Sequence, residues 1–194
     1  MRIETSWDDF SKHDTRIADL LRFYGLPGIF YVPVNQTLGR EDELADIAKD
    51  FEIGSHTVNH EILNQIPKKA MQSEVADSRT WLQQETGQLI NSFCYPKGRY
   101  DQSVIDAVKA AGYKEARTTK VLSTKTKQRH FEIETSIHVY PRKEYQDVPW
   151  LDLAKELHDR AKEDDGTFRL WGHGWEIERL GEWENLESFF KHIA

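Results

Sequence analysis

The chain has 194 residues, of which 30% are charged and 38% hydrophobic, an ordinary globular mixture long enough to bury one substantial core as a single domain over 1–194. Its formal charge of -7 argues against a nucleic-acid partner, and the single cysteine, Cys94, excludes an internal disulfide. No apolar run is long enough to span a membrane and no basic segment followed by an apolar one opens the sequence, so the expectation is a cytoplasmic chain with no membrane partner.

Residues 2 to 7 read as a first strand that ends at Asp8-Asp9. Asp14 is placed to cap a helix in which Ile17, Leu20, Leu21 and Tyr24 share a face, and Gly25 ends it. Gly28 to Val34 is nearly all apolar, the pattern of a strand buried on both faces. A short helix over Glu41 to Asp50 leads into a strand, Phe51 to Ser55, followed directly by His56-Thr57-Val58-Asn59-His60. Pro67 to Glu85 is a long amphipathic helix closed at Thr86-Gly87. Leu89 to Tyr95 is a strand stopped by Pro96-Lys97-Gly98, and Asp101 to Ala111 a helix stopped by Gly112. A strand over Glu115 to Thr118 precedes a polar, basic loop from Thr119 to Arg129. Glu132 to Tyr140 alternates through Ile133, Thr135, Ile137 and Val139 as a strand does. The helix Leu151 to Glu163, the strand Thr167 to Trp171 and the helix Glu182 to His192 complete the chain.

Strands alternating with helices indicate βαβ units and a parallel sheet. About seven such units are too many and too regular for a small open sheet, which points to an α/β barrel. The polar clusters support this. Asp8-Asp9, His56 and His60, Pro96-Lys97-Gly98 and His173 each follow the C-terminal end of a predicted strand, the face that carries the active site in such barrels.

Two histidines four apart on one face of a helical turn can reach one point, half of a divalent-metal site. A carboxylate from Asp8 or Asp9 would complete two His and one acid with a position left for water, the ligand set of a catalytic zinc. The other aspartate could then take a proton from that water. His173 shares a strand face with Trp171 and could serve as a third ligand or as a general acid. The Pro96-Lys97-Gly98 turn can aim a backbone N–H. Trp150, Trp171, Trp175 and Trp183 could offer sugars an aromatic surface. The remaining histidines, His13, His130, His138, His158 and His192, receive no role.

Together these residues resemble the NodB-type polysaccharide deacetylases, metal-dependent carbohydrate esterases. Thr5-Ser6-Trp7-Asp8-Asp9 is similar to the first motif of that family and His56-Thr57-Val58-Asn59-His60 to its histidine motif. Cys94-Tyr95-Pro96-Lys97-Gly98 matches the third in part, and Leu170-Trp171-Gly172-His173 matches the last. The resemblance implies a distorted, incomplete (β/α) barrel that removes an acetyl group from an N- or O-acetylated sugar. It implies one divalent ion on Asp9, His56 and His60, with zinc the first expectation and cobalt, nickel or manganese the alternatives. It implies Asp8 as base, the Lys97 N–H as oxyanion donor and His173 as general acid. Tyr95, Pro96, Gly98, Trp150, Leu170, Trp171 and Trp175 are the candidate substrate contacts. The partner expected is an acetylated carbohydrate. The alternatives are a hydrolase of another non-peptide amide and a silent metal- or carbohydrate-binding protein.

Three departures stand out. Many members carry arginine where this chain has Cys94, and a thiol supplies neither a charge nor a strong donor to hold the catalytic aspartate. Arg117, at the end of the next strand, is the candidate replacement and joins the catalytic set. Phe10-Ser11 follows the aspartates in place of Gly-Pro, and the fourth motif, which braces the acid histidine, has no clear match, with Asp147 and Trp150 as candidates.

Overall fold

A computed structural model describes residues 1–194. The strands are β1 (Arg2–Asp8), β2 (Ile29–Val32), β3 (Glu52–Ser55), β4 (Ser92–Cys94), β5 (Glu115–Arg117), β6 (Ile137–His138) and β7 (Thr167–Gly172). The helices are α1 (Asp14–Tyr24), α2 (Glu41–Ile47), α3 (Lys68–Thr86), α4 (Gln102–Ala110), α5 (Trp150–Glu163), α6 (Gly174–Leu180) and α7 (Trp183–Ile193). The seven parallel strands hydrogen-bond in the order β5-β4-β3-β2-β1-β7-β6, which leaves two edge strands as an incomplete (β/α) barrel does. No helix is long and apolar enough to cross a membrane.

The chain divides into two compact units, one of Met1–Ile29, Lys120–Gln128 and Glu134–Ala194, the other of Phe30–Thr119 and Arg129–Ile133. In the first, β1 pairs with β7 from Arg2↔Thr167 to Trp7↔Gly172, and β6 pairs with β7 at Ile137↔Leu170 and His138↔Trp171. Its core is aromatic. Trp7 meets Phe190 edge to face at 6.1 Å and Phe168 lies 5.5 Å from Phe189, and each such buried ring contributes about 1.5–3 kcal/mol over an exposed one. In the second unit β4 pairs with β5 in the register Cys94↔Arg117, and Phe93 packs against Tyr95 and Tyr113 at 5.5 and 5.1 Å.

The structure corrects three sequence expectations. The alternating segment Glu132 to Tyr140 is not one strand. Ile133 bonds to Ala116 and Thr118 in the second unit, whereas Ser136 and Val139 bond to the β7 carbonyls of Arg169 and Trp171 in the first, so only Ile137 and His138 remain as β6. Asp14 is the first residue of α1 and not its cap, its buried carboxylate accepting the Ser11 hydroxyl at 2.6 Å. A helix, α6, follows His173 where none was expected.

Candidate functional site

In the first unit β1 is buried at its C-terminal end and delivers Asp8, 2% exposed, followed by Asp9. The pairing of Trp7 with Gly172 brings the residue after β7, His173, to the same end of the sheet. Asp9 Oδ2 accepts the Trp175 indole N–H at 3.1 Å and lies 3.7 Å from His173 Nε2. The turn from β7 into α6 is tight because Gly174 packs on the Ser11–Asp14 loop, where an added Cβ would sit 2.7 Å from both Ser11 Oγ and Asp14 Oδ1.

One turn into α6, the buried Glu176 reaches back to His173. Its Oε2 accepts from His173 Nδ1 at 2.6 Å, and the same oxygen accepts from His138 Nε2 at 2.8 Å. Burial alone would raise the Glu176 pKa, but the hydrogen bonds from His138 and His173 outweigh it and bring it down to about 2. Burial alone would lower the His173 pKa. The bond to Glu176 and the charges of Asp8, Glu176 and Asp9 reverse that, so it lies above its ordinary value. His138 goes the other way, down to about 4, because desolvation exceeds the help from Glu176. Asp147 is exposed and Trp150 lies in the core, so the carboxylate that His173 uses is Glu176 and not the expected fourth-motif pair.

In the second unit the histidine pair follows β3. The expected helical turn is absent. Residues 56–60 form an irregular loop in which Thr57 and His60 have left-handed backbones, φ 69 and 59. The loop still brings the rings together, Nε2 to Nε2 at 3.1 Å. Thr57 Oγ1 accepts the His60 N–H at 2.9 Å. Glu74, on the buried face of α3, accepts the N–H groups of Val58 and Asn59 at 2.9 and 2.8 Å and the Asn59 amide at 2.6 Å. His56 Nδ1 donates to the Cys94 carbonyl at 2.7 Å, which fixes its tautomer and turns the Nε2 lone pair toward His60. Two imidazole nitrogens on one tetrahedral zinc stand about 3.3 Å apart, so a pair at 3.1 Å fits a shared cation.

The turn after β4 also takes left-handed backbone, at Lys97 with φ 54 and Gly98 with φ 64. At Gly98 an added Cβ would also lie 2.1 Å from Thr119 Oγ1, which leaves no room for a side chain there unless Thr119 shifts. Arg117, 4% exposed, stands opposite Cys94 in the β4–β5 register and donates from Nη2 to its sulfur at 2.9 Å, with its guanidinium 5.1 Å from the centre of the Tyr31 ring. A guanidinium therefore sits directly on the Cys94 side chain.

The candidate substrate contacts divide. Trp175 is 37% exposed, whereas Leu170 is wholly buried and Trp171 is 3% exposed under the His138 ring. Trp150 is core. Its indole donates to Glu182 at 2.9 Å and its ring meets Phe189 edge to face at 6.3 Å, which removes it from any sugar-facing surface. Tyr95 is fully buried, its hydroxyl on the Phe131 carbonyl at 2.9 Å, and Pro96 is buried beside it.

Sequence reading missed Glu74, His138 and Glu176. A carboxylate between Met71 and Val75 on an apolar helix face was the one available signal for Glu74. Backbone strain marks the same places. Of nine non-glycine residues with positive φ, five are Asp9, Phe10, Thr57, His60 and Lys97, and such conformations persist where surrounding structure over-determines them.

Residues 2–116 match the family described as polysaccharide deacetylase. Among curated proteins, the chain is 28% identical over 107 residues to "Putative polysaccharide deacetylase YxkH" of Bacillus subtilis. That match takes in 52% of this chain and 38% of the relative, well under two thirds of its length. Among solved structures, a protein of the same description from Mycobacterium smegmatis superposes with a TM-score of 0.75 at 13% identity, over 98% of this chain and 83% of that one. The family 4 carbohydrate esterase of Streptomyces lividans, solved with acetate, gives 0.69 at 13% identity over 98% and 88%. These likenesses show the fold.

Proposed function

This chain belongs to the polysaccharide deacetylase family, and on that premise we propose that it acts as one catalytic domain hydrolysing an acetyl group from an N- or O-acetylated sugar. The observation that carries the reading is the His56–His60 pair, two ring nitrogens 3.1 Å apart in a loop that needs left-handed backbone to present them.

In this reading Asp9, His56 and His60 hold one divalent ion. Such an ion would supply polarisation of the acetyl carbonyl and a water whose pKa lies near 7. Asp8, buried at the end of β1, takes the proton of the attacking water. The Lys97 backbone N–H, set by its left-handed turn, donates to the developing oxyanion. His173, its Nδ1–H held by Glu176, hands a proton from Nε2 to the leaving nitrogen or oxygen. Arg117 takes over from the missing motif arginine and orients Asp8, a role supported by its placement on Cys94. The half-exposed Trp175 is the aromatic surface offered to the sugar.

Acetate release from a panel of acetylated mono- and oligosaccharides, with and without chelator, tests the reading. Chelator-sensitive release is expected. Equimolar metal with no release from any sugar would leave a metal- or carbohydrate-binding protein, and turnover of other amides alone would move the reaction to those. Arg117→Ala should lose turnover with metal retained, and near wild-type turnover would remove Arg117 from the mechanism.

A further inference from the structure

We propose that His138 is a positioning residue for His173, acting through Glu176 as the fixed far end of a His138–Glu176–His173 chain. The inference rests on the reading that His173 protonates the leaving group.

His138 is held through its backbone, its ring face and its Nε2. Its backbone N–H donates to the Tyr145 hydroxyl at 2.7 Å, and that hydroxyl donates back to the His138 carbonyl at 3.2 Å. Its ring lies flat on the Trp171 indole, 3.7 Å between centres and 7° from parallel. Its Nε2 reaches Glu176 Oε2 at 2.8 Å, while its Nδ1 is buried with no hydrogen-bond partner. This asymmetry settles the tautomer. A proton on Nδ1 would be a buried, unpaired donor costing about 1–3 kcal/mol, so the proton sits on Nε2 and is given to Glu176.

A single carboxylate oxygen thus takes two imidazole N–H groups. The one from His138 comes from a ring that packing has immobilised. The other comes from His173, which is more exposed and sits in the turn between β7 and α6. The carboxylate can then hold His173 in only one orientation, with Nδ1 as donor and Nε2 turned outward. A neutral His138 suits this task, because it donates without taking the proton that His173 carries. The low pKa that burial gives His138 agrees with that division.

The test compares His138→Phe, His138→Gln and His138→Asn with wild type by two readouts. The first is nitrogen-15 NMR of the imidazole N–H groups, with the His173 Nδ1–H signal assigned through its loss in His173→Gln. Wild type should show that proton far downfield and protected from exchange. His138→Phe fills the space but cannot donate, and should speed its exchange about tenfold or more. His138→Gln places an amide donor near the original Nε2 and should restore protection, whereas the shorter side chain of His138→Asn should not. The second readout is turnover. Loss of the donor should lower kcat about 10–100-fold with KM unchanged, with recovery in His138→Gln. Should His138→Phe fail to fold, the Gln and Asn pair decides. A folded His138→Phe or His138→Asn with wild-type His173 exchange and kcat would overturn the proposal. If wild type releases no acetate, the deacetylase reading fails, and the exchange measurements still decide the positioning.

Discussion

Two of the molecule's imidazole pairs, His56–His60 and His138–His173, are built in opposite ways. His56 and His60 point their Nε2 atoms at each other across 3.1 Å. His138 and His173 both turn a nitrogen onto one oxygen of Glu176, at 2.8 and 2.6 Å. In the first pair a backbone carbonyl takes the His56 Nδ1 proton and a lone pair is left facing the other ring, an arrangement that a cation satisfies. In the second pair a carboxylate lies between the rings and accepts from both, an arrangement that the proposed function uses for proton transfer. The partners differ accordingly, a backbone carbonyl for His56 and a shared carboxylate for His138 and His173.

Removing one ring from each pair is the strongest way to break this contrast. His60→Ala should abolish metal binding, read by elemental analysis. His173→Gln should keep the metal and lower turnover on the order of 10²–10⁴-fold. Metal loss in His173→Gln would mean that the second pair is also a ligand pair.

The second effect is in stability against pH. His138 has its pKa lowered by burial from 6.5 to about 4, with Glu176, His173 and Arg142 facing it. The unfolded chain therefore binds a proton that the folded chain refuses, and stability should fall as pH drops from 6.5 toward 4. That difference is worth about 3 kcal/mol at most. Glu176, lowered to about 2, extends the loss below pH 4.5. His173 is raised above 6.5, so its contribution is complete below 6.5 and is lost only as pH climbs through its higher folded value. Urea titrations of wild type and His138→Phe between pH 4 and 7 should show a slope that flattens in the variant. An unchanged slope would mean that His138 is protonated in the fold.

Smaller effects sharpen the metal side. Glu74→Ala leaves two loop N–H groups without their acceptor and should weaken metal affinity about 10–100-fold, with turnover recovered at saturating metal. Trp175→Phe removes one N–H from Asp9 at a half-exposed position and should cost about 1 kcal/mol in metal binding. Equal affinity in Glu74→Ala would mean that the loop holds its shape without α3.

What the sequence made readable were features written into one segment. Buried strands appear as apolar runs, and Asp8, Asp9, His56, His60 and His173 stand at their ends, so the barrel and the chemical groups could be placed from local pattern. What it hid depends on contacts distant in sequence or on unusual backbone. Glu176 and His138 are 38 residues apart and meet only because β6 and α6 flank β7. The histidine spacing suggested a helical turn, but Thr57 at φ 69 is a conformation no propensity anticipates for a β-branched residue. The alternating pattern of 132–140 does not become alternating burial, since Thr135 to Val139 are all buried, and the two ends of the segment pair with different neighbours. Arg117 stood out because it ends the strand that follows Cys94 and parallel strands open at the same end, and the β4–β5 pairing places the two opposite each other.

Cys94 is the chain's only thiol, 1% exposed and hydrogen-bonded from Arg117. A thiol so enclosed reacts with a labelling reagent only when its surroundings open. Its labelling rate, divided by that of the same thiol in denaturant, is thus an equilibrium constant for opening, readable without substrate or metal. Arg117→Lys would change that gauge directly, which gives each variant an internal clock for how often this part of the sheet breathes.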